Sequence, residues 1–251
     1  MNQLPRAKRA RILAMLIEGA SMRSVARTAG VSINTVAKLL HDAGRAAKIF
    51  HDSRVRGIRG RRRVECSRVW AFGDTGQPPE QDPERPLRTR DAWTYTAIDA
   101  KSRLIVSYSI SFRAVGAAIA LKDALRTRFR VKPVLVTNPL PTNVTGTVES
   151  TRADFAGAFH RARADAAARA DPKSKADRST GRMETYRAVV SLYALHHNYC
   201  RIQRSGTTPA MAAGLEDEIR DTAWIVELID ARAPKPKRPS TYRKLVRSGV
   251  H

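Results

Sequence analysis

Residues 21–44 read SMRSVARTAGVSINTVAKLLHDAG, and this stretch decides how the N-terminal part of the chain folds. Ser21 is placed to cap a helix with Met22, Val25 and Ala26 on its apolar face. Ala29-Gly30 ends that helix, since glycine enters the left-handed conformation that closes a helix without steric cost. Ser32 then caps a further helix in which Ile33, Val36, Ala37 and Leu40 form the apolar side, leaving Asn34, Thr35, Lys38 and His41 outward. This spacing predicts a helix-turn-helix, whose second helix enters the DNA major groove and reads base edges near its N-terminus. The expected readers are Ser32, Asn34, Thr35 and Lys38, with Arg23 and Arg27 neutralising phosphate beside them. A small helical bundle that merely supports the next domain would have the same spacing; the basic outward face favours DNA.

On the N-terminal side, Pro5 to Ala20 places Ala7, Ala10, Ile12, Leu13, Leu16 and Ile17 at helical spacing, with Arg6, Lys8, Arg9 and Arg11 between them, which predicts a basic amphipathic helix. On the C-terminal side, Arg45, Lys48, Arg54, Arg56, Arg59 and the run Arg61-Arg62-Arg63 surround Gly57 and Gly60. This stretch reads as a linker tracking the phosphate backbone, the alternative being a solvated charge run.

The whole chain points the same way. Its 251 residues carry 46 Lys and Arg against 23 Asp and Glu, a net charge of +23 that favours a polyanionic partner. Residues 1–68 alone hold 16 Lys and Arg against 4 Asp and Glu, a net +12. No long apolar run and no cleavable signal peptide stands in the sequence, so no membrane partner and a cytoplasmic location are expected. Cys66 and Cys200 are too far apart for the clustered spacing of a zinc finger and read as ordinary thiols.

Beyond the basic stretch the pattern becomes α/β. Val64 to Phe72, Trp93 to Ile98 and Leu104 to Phe112 read as strands, the last two joined by a turn at 99–103. Between the first two lies a loop with Pro78, Pro79, Pro83 and Pro86. An alanine-rich helix over 115–129 and a short apolar strand at 134–136 follow. A hairpin followed by a helix and a strand suits a ribonuclease-H-like mixed sheet.

Three stretches carry a resemblance to a known family. LPRAKRARILAMLIEGASMRSVARTAGVSINTVAKLLHDAG from Leu4 to Gly44, WTYTAIDAKSRLIVSY from Trp93 to Tyr108 and HHNYCRIQRSGTTPAMAAG from His196 to Gly214 are similar to the DDE transposases of bacterial insertion sequences, in the insertion-sequence-one-like group. The last, a helix bearing tyrosine and asparagine before a Thr-Pro-Ala turn, is the most specific. Such enzymes cut and join DNA with two Asp and one Glu that hold two divalent metals. The resemblance implies an acid where this chain has Ser67, with Arg68 beside it, and a second where it has Asn138. The third falls on Glu149, which is retained, only 11 positions after Asn138. Much of the catalytic domain is therefore expected to be missing, with 143–177 bridging the gap through a helix over about 151–171. Asp74, Asp99 and Glu65 are the acids that could substitute, but Asp99 reads as the organiser of a turn. His196 and His197 read as packing or phosphate-contact residues rather than ligands.

The expected organisation is a helix-turn-helix domain over 1–48, a basic linker over 49–63, a truncated ribonuclease-H-like domain over 64–232 and a basic tail over 233–251. The expected function is DNA binding by a catalytically impaired transposase relative, acting as remnant or regulator. Its partners would be double-stranded DNA bearing terminal inverted repeats and, in mixed or homo-oligomeric assembly, a second copy or an intact relative. No metal and no cofactor are expected. The alternative is an active transposase using Mg2+, and a third class, an RNA-binding basic protein, accounts for the charge but not for residues 21–44.

Overall fold

The computed structural model describes residues 4–72, 92–111, 114–137 and 175–232. Three helices come first: α1 (Arg6–Ile17), α2 (Met22–Ala29) and α3 (Ile33–Arg54). Three strands follow, β1 (Arg63–Phe72), β2 (Ala92–Asp99) and β3 (Ile105–Ser111), then α4 (Ala114–Arg128) and β4 (Val134–Thr137). The chain closes with α5 (Lys175–Tyr199), α6 (Pro209–Ala212) and α7 (Thr222–Asp230). The expected α/β order is thus present. The polar loop before β2, the segment 143–174 with its expected helix, and the tail 233–251 lie outside the described residues.

The four strands form one mixed sheet in the order β3-β2-β1-β4. β1, β2 and β3 run antiparallel as successive neighbours, and β4 returns parallel to β1 after α4 has crossed the sheet. The two faces of the sheet bury different clusters. Ala97, Leu104 and Val106 meet Leu121 and Leu125 of α4, in a core that continues into α1, α2, α3 and α7. Ile98, Ile105 and Tyr108 meet Met183, Tyr186, Val190 and Tyr193 of α5. The hydroxyls of Thr94 and Tyr186 share a 2.7 Å hydrogen bond there, so a buried strand threonine is satisfied by the helix above it.

One expectation is corrected here. The stretch from Arg45 onward, read as linker, is helical as far as Arg54. Ala46, Ala47, Phe50, Val55 and Ile58 are buried in the main core, and Ile58 forms a parallel bridge with Phe129 after α4. Phe50 is held edge-on between Tyr199 and Trp224, with ring centroids at 5.2 and 5.0 Å. Aromatic contacts of this kind add about 0.5–1.5 kcal/mol each beyond area burial. The first helices are further tied to α7 by Arg9, whose two guanidinium nitrogens donate to the Asp230 carboxylate at 2.6 and 2.8 Å, and by the Arg6–Glu227 pair.

Candidate nucleic-acid interface

The corner between α2 and α3 is built by backbone closure at one end and a side-chain cap at the other. Gly30 takes φ 58° and ψ 49°, and the following Val31 N–H reaches back to Ala26 O at 3.0 Å, closing α2. Ser32 sits extended at φ −68°, its hydroxyl accepting the Thr35 N–H at 3.1 Å to open α3. Val36, Ala37, Leu39 and Leu40 are buried behind the corner.

The expected readers divide accordingly. Asn34 and Lys38 stand exposed on the outer side of α3. Ser32 is exposed and Thr35 half-buried, but their hydroxyls are bonded to each other at 2.8 Å, so both belong to the cap. Lys38 reaches Asp42 one turn on at 2.7 Å, and Arg45 holds the same carboxylate. Burial works to raise the Asp42 pKa, but the hydrogen bonds from Lys38 and Arg45 hold it below the usual carboxylate range. Arg23 and Arg27 are exposed on α2, beside the corner.

The arginine run separates into two roles. Arg61 and Arg63 are exposed, with Arg63 3.9 Å from Glu65. Arg62 turns inward: its Nε donates to Arg59 O at 3.0 Å and its Nη1 to the Asp99 carboxylate at 3.2 Å. Asp99 is fully buried and also accepts from the Ser102 N–H at 3.1 Å and hydroxyl at 2.5 Å, which ties the β2–β3 turn. Its assignment as a turn organiser therefore stands on geometry, and Arg62 is its counter-ion.

Of the positions implied for catalytic acids, Ser67 lies in β1 opposite Thr96, with 2.8 Å between the two hydroxyl oxygens. Asn138, Glu149 and Asp74 fall outside the described residues. A hard divalent cation prefers carboxylate oxygens. Ser67 offers a hydroxyl already paired with another hydroxyl, and Asp99 is taken up by a guanidinium.

The most specific stretch of the resemblance proves to be a clamp on the sheet edge. β3 is an outer strand, and Asn198, fully buried, receives the Ile105 N–H on its Oδ1 at 2.9 Å and donates Nδ2 to Ile105 O at 3.0 Å. Its amide stands where a neighbouring strand would. His51 Nε2 lies 2.9 Å from the same carbonyl, His197 Nε2 lies 3.1 Å from Arg103 O, and Gln203 donates to Ser102 O at 2.9 Å. Burial pushes His51 below its ordinary pKa and takes half-buried His196, near Arg201, down to about 4. His197 is a packing residue here.

One cluster went unread in the sequence. Asp52 sits among His51, Lys48 and Arg128, with Arg128 Nη2 at 2.6 Å. Burial works to raise Asp52, but the hydrogen bonds from Lys48 and Arg128 hold it far below the usual range. Arg128 itself is buried and also donates to the carbonyls of His51 and Val55, capping the last turn of α3. The Lys48-to-Asp52 spacing was the available signal, as an i, i+4 pair on a helix.

Comparison with protein-family models, with curated proteins and with solved structures finds no match to this chain. Among the described residues no helix is long and apolar enough to cross a membrane.

Proposed function

We propose that this chain binds double-stranded DNA, with α2 and α3 acting as a helix-turn-helix, and that it comes from the insertion-sequence transposase lineage with an incomplete set of catalytic acids. The observation that carries the DNA reading is the capped corner itself: Asn34 and Lys38 exposed on the first turns of α3, next to exposed Arg23 and Arg27. A recognition helix needs this combination, with a buried rear face, a fixed N-terminus and polar side chains reaching outward. The net charge of +23 supplies the electrostatic part of the affinity.

The lineage reading is supported by the strand order β3-β2-β1-β4, with β4 parallel to β1 after a crossover helix, which suits a ribonuclease-H-like sheet. The neutral Ser67–Thr96 pair across β1 and β2 favours a protein that holds DNA without cutting it, as a remnant or as a regulator assembling with an intact relative.

An electrophoretic shift assay on a duplex carrying the inverted repeats flanking its own gene, with magnesium or manganese present, tests both parts. A salt-sensitive, sequence-preferring shift without cleavage is expected. Metal-dependent nicking would overturn the impaired reading in favour of an active transposase, and absence of any shift would overturn DNA binding.

A further inference from the structure

Behind the reading end of α3, a cleft of about 980 Å³ opens between α3, β3, α4 and α5. Lys38, Arg45, Lys48 and Arg56 line it from the α3 side, and Arg128 and Arg187 from α4 and α5. The acids among its lining are Asp42, Asp52 and Glu184, so positive charge is in excess. We infer that this cleft is a second nucleic-acid site, which takes a single strand by its phosphate backbone; the inference rests on the DNA reading above and deepens it.

The arrangement of charges carries the argument. Each α3 carboxylate holds two cations: Asp42 lies between Lys38 and Arg45, and Asp52 between Lys48 and Arg128. Each group therefore keeps one positive charge in excess, with its side chains already ordered, which lowers the entropy lost when a phosphate arrives. Asp42 and Asp52 are ten positions apart on one helix, roughly 15 Å along its axis, a distance that spans a few phosphates of an extended strand. The outer cations remain accessible, with side-chain exposures of 67% for Lys38 and 76% for Arg45.

Size and position select the form of nucleic acid. The volume admits a few nucleotides of a single strand but not a turn of duplex. Lys38 belongs both to the cleft and to the exposed first turns of α3, so a strand leaving a duplex held at Asn34 enters the cleft without a gap in positive charge. Backbone tracking along a basic groove is sequence-tolerant and strongly salt-dependent. An acidic extended peptide would meet the same cations, and it is the competing outcome.

The test uses the full chain with a fluorescent short oligothymidylate, a mixed-sequence hairpin duplex and a polyglutamate peptide as probes. The double variant Arg45→Ala, Arg187→Ala should weaken oligothymidylate binding about tenfold and reduce its salt slope by roughly 1.4, the value for two lost phosphate contacts on a single strand. Binding of the mixed-sequence duplex should change less than about twofold, and Asn34→Ala should leave oligothymidylate binding unchanged. Ala120→Glu, at an exposed cleft-lining position on α4, should abolish oligothymidylate binding without lowering the melting temperature. Oligothymidylate binding that survives both cleft variants, or polyglutamate binding as tightly as oligothymidylate, would overturn the inference. Loss of duplex binding alone, in the unaltered chain, would remove the α2–α3 reading and leave the cleft standing.

Discussion

Gly44 of α3 lies so close to Ala188 of α5 that a Cβ placed on it would fall 2.4 Å from the Ala188 Cα and 2.8 Å from its carbonyl oxygen. The crossing of these two helices is set by a missing side chain. Gly44→Ala should therefore force α3 and α5 apart and cost about 1–3 kcal/mol, the usual penalty for overpacking, read as a lower midpoint in chemical denaturation. Pairing it with Ala188→Gly should recover only part of the loss, since backbone atoms of residue 188 are among those struck. Unchanged stability in Gly44→Ala would mean that the helices do not approach so closely.

Asn198→Ala should uncover the edge of β3. It leaves the buried Ile105 N–H without its acceptor, which costs about 1–3 kcal/mol. Amide exchange at Ile105 should accelerate more than at strand positions paired with β2; uniform acceleration would point to a general loss of packing instead.

Arg61 and Arg62 are neighbours with opposite expected phenotypes. Arg61→Ala should leave stability within about 0.5 kcal/mol while lowering the duplex-binding salt slope by about 0.9. Arg62→Ala strips the counter-ion from fully buried Asp99 and should cost about 3–5 kcal/mol of folding stability. Titration of binding against salt, beside thermal melts, separates the two.

Asn34→Ala should weaken binding to a preferred sequence by about 1–3 kcal/mol while leaving non-specific duplex binding nearly unchanged. Equal loss on both would move Asn34 from base reading to backbone contact.

Stability should fall as the solution becomes mildly acidic. His51 and His196 are both held below the ordinary histidine value of 6.5, His196 at about 4, so the folded state keeps them neutral. The unfolded chain takes up those protons first, which makes their contribution complete above about pH 6.5 and progressively lost toward pH 4. Asp52 has the same sign at lower pH, its contribution being lost as pH falls below the ordinary carboxylate range. His196→Gln should flatten the slope of unfolding free energy between pH 6.5 and 4, and an unaltered slope would relocate the effect to other groups.

The regular elements were legible because their signals are local. The β-rich run from Trp93 to Ile98 became β2, and the 115–129 periodicity became α4 to within a residue. Ser32 and Gly30 punctuate α2 and α3 as their chemistry requires. What could not be read depended on distant partners. The close approach at Gly44 exists only once Ala188 is brought against it, and the second half of α3 passed for a linker because its arginines continue into a basic run around Gly57 and Gly60. Arg62 is indistinguishable from Arg61 until Asp99, 37 positions away, is placed beneath it. Asn198 and His197 carried a recognisable pattern, but their attachment to the Arg103–Ile105 edge exists only after the hairpin and α5 have come together.

Because α3 begins at the outer corner and ends among Phe50, Tyr199 and Trp224, the surface proposed to face DNA cannot be lifted out as a transplantable module. A fragment stopping at residue 48 would sever the helix in mid-span and discard the aromatic anchor that holds its far end. Equally, any force applied to the first turn of α3 is delivered along a single rod into the sheet, so whatever seizes Asn34 has the protein's interior in its grip.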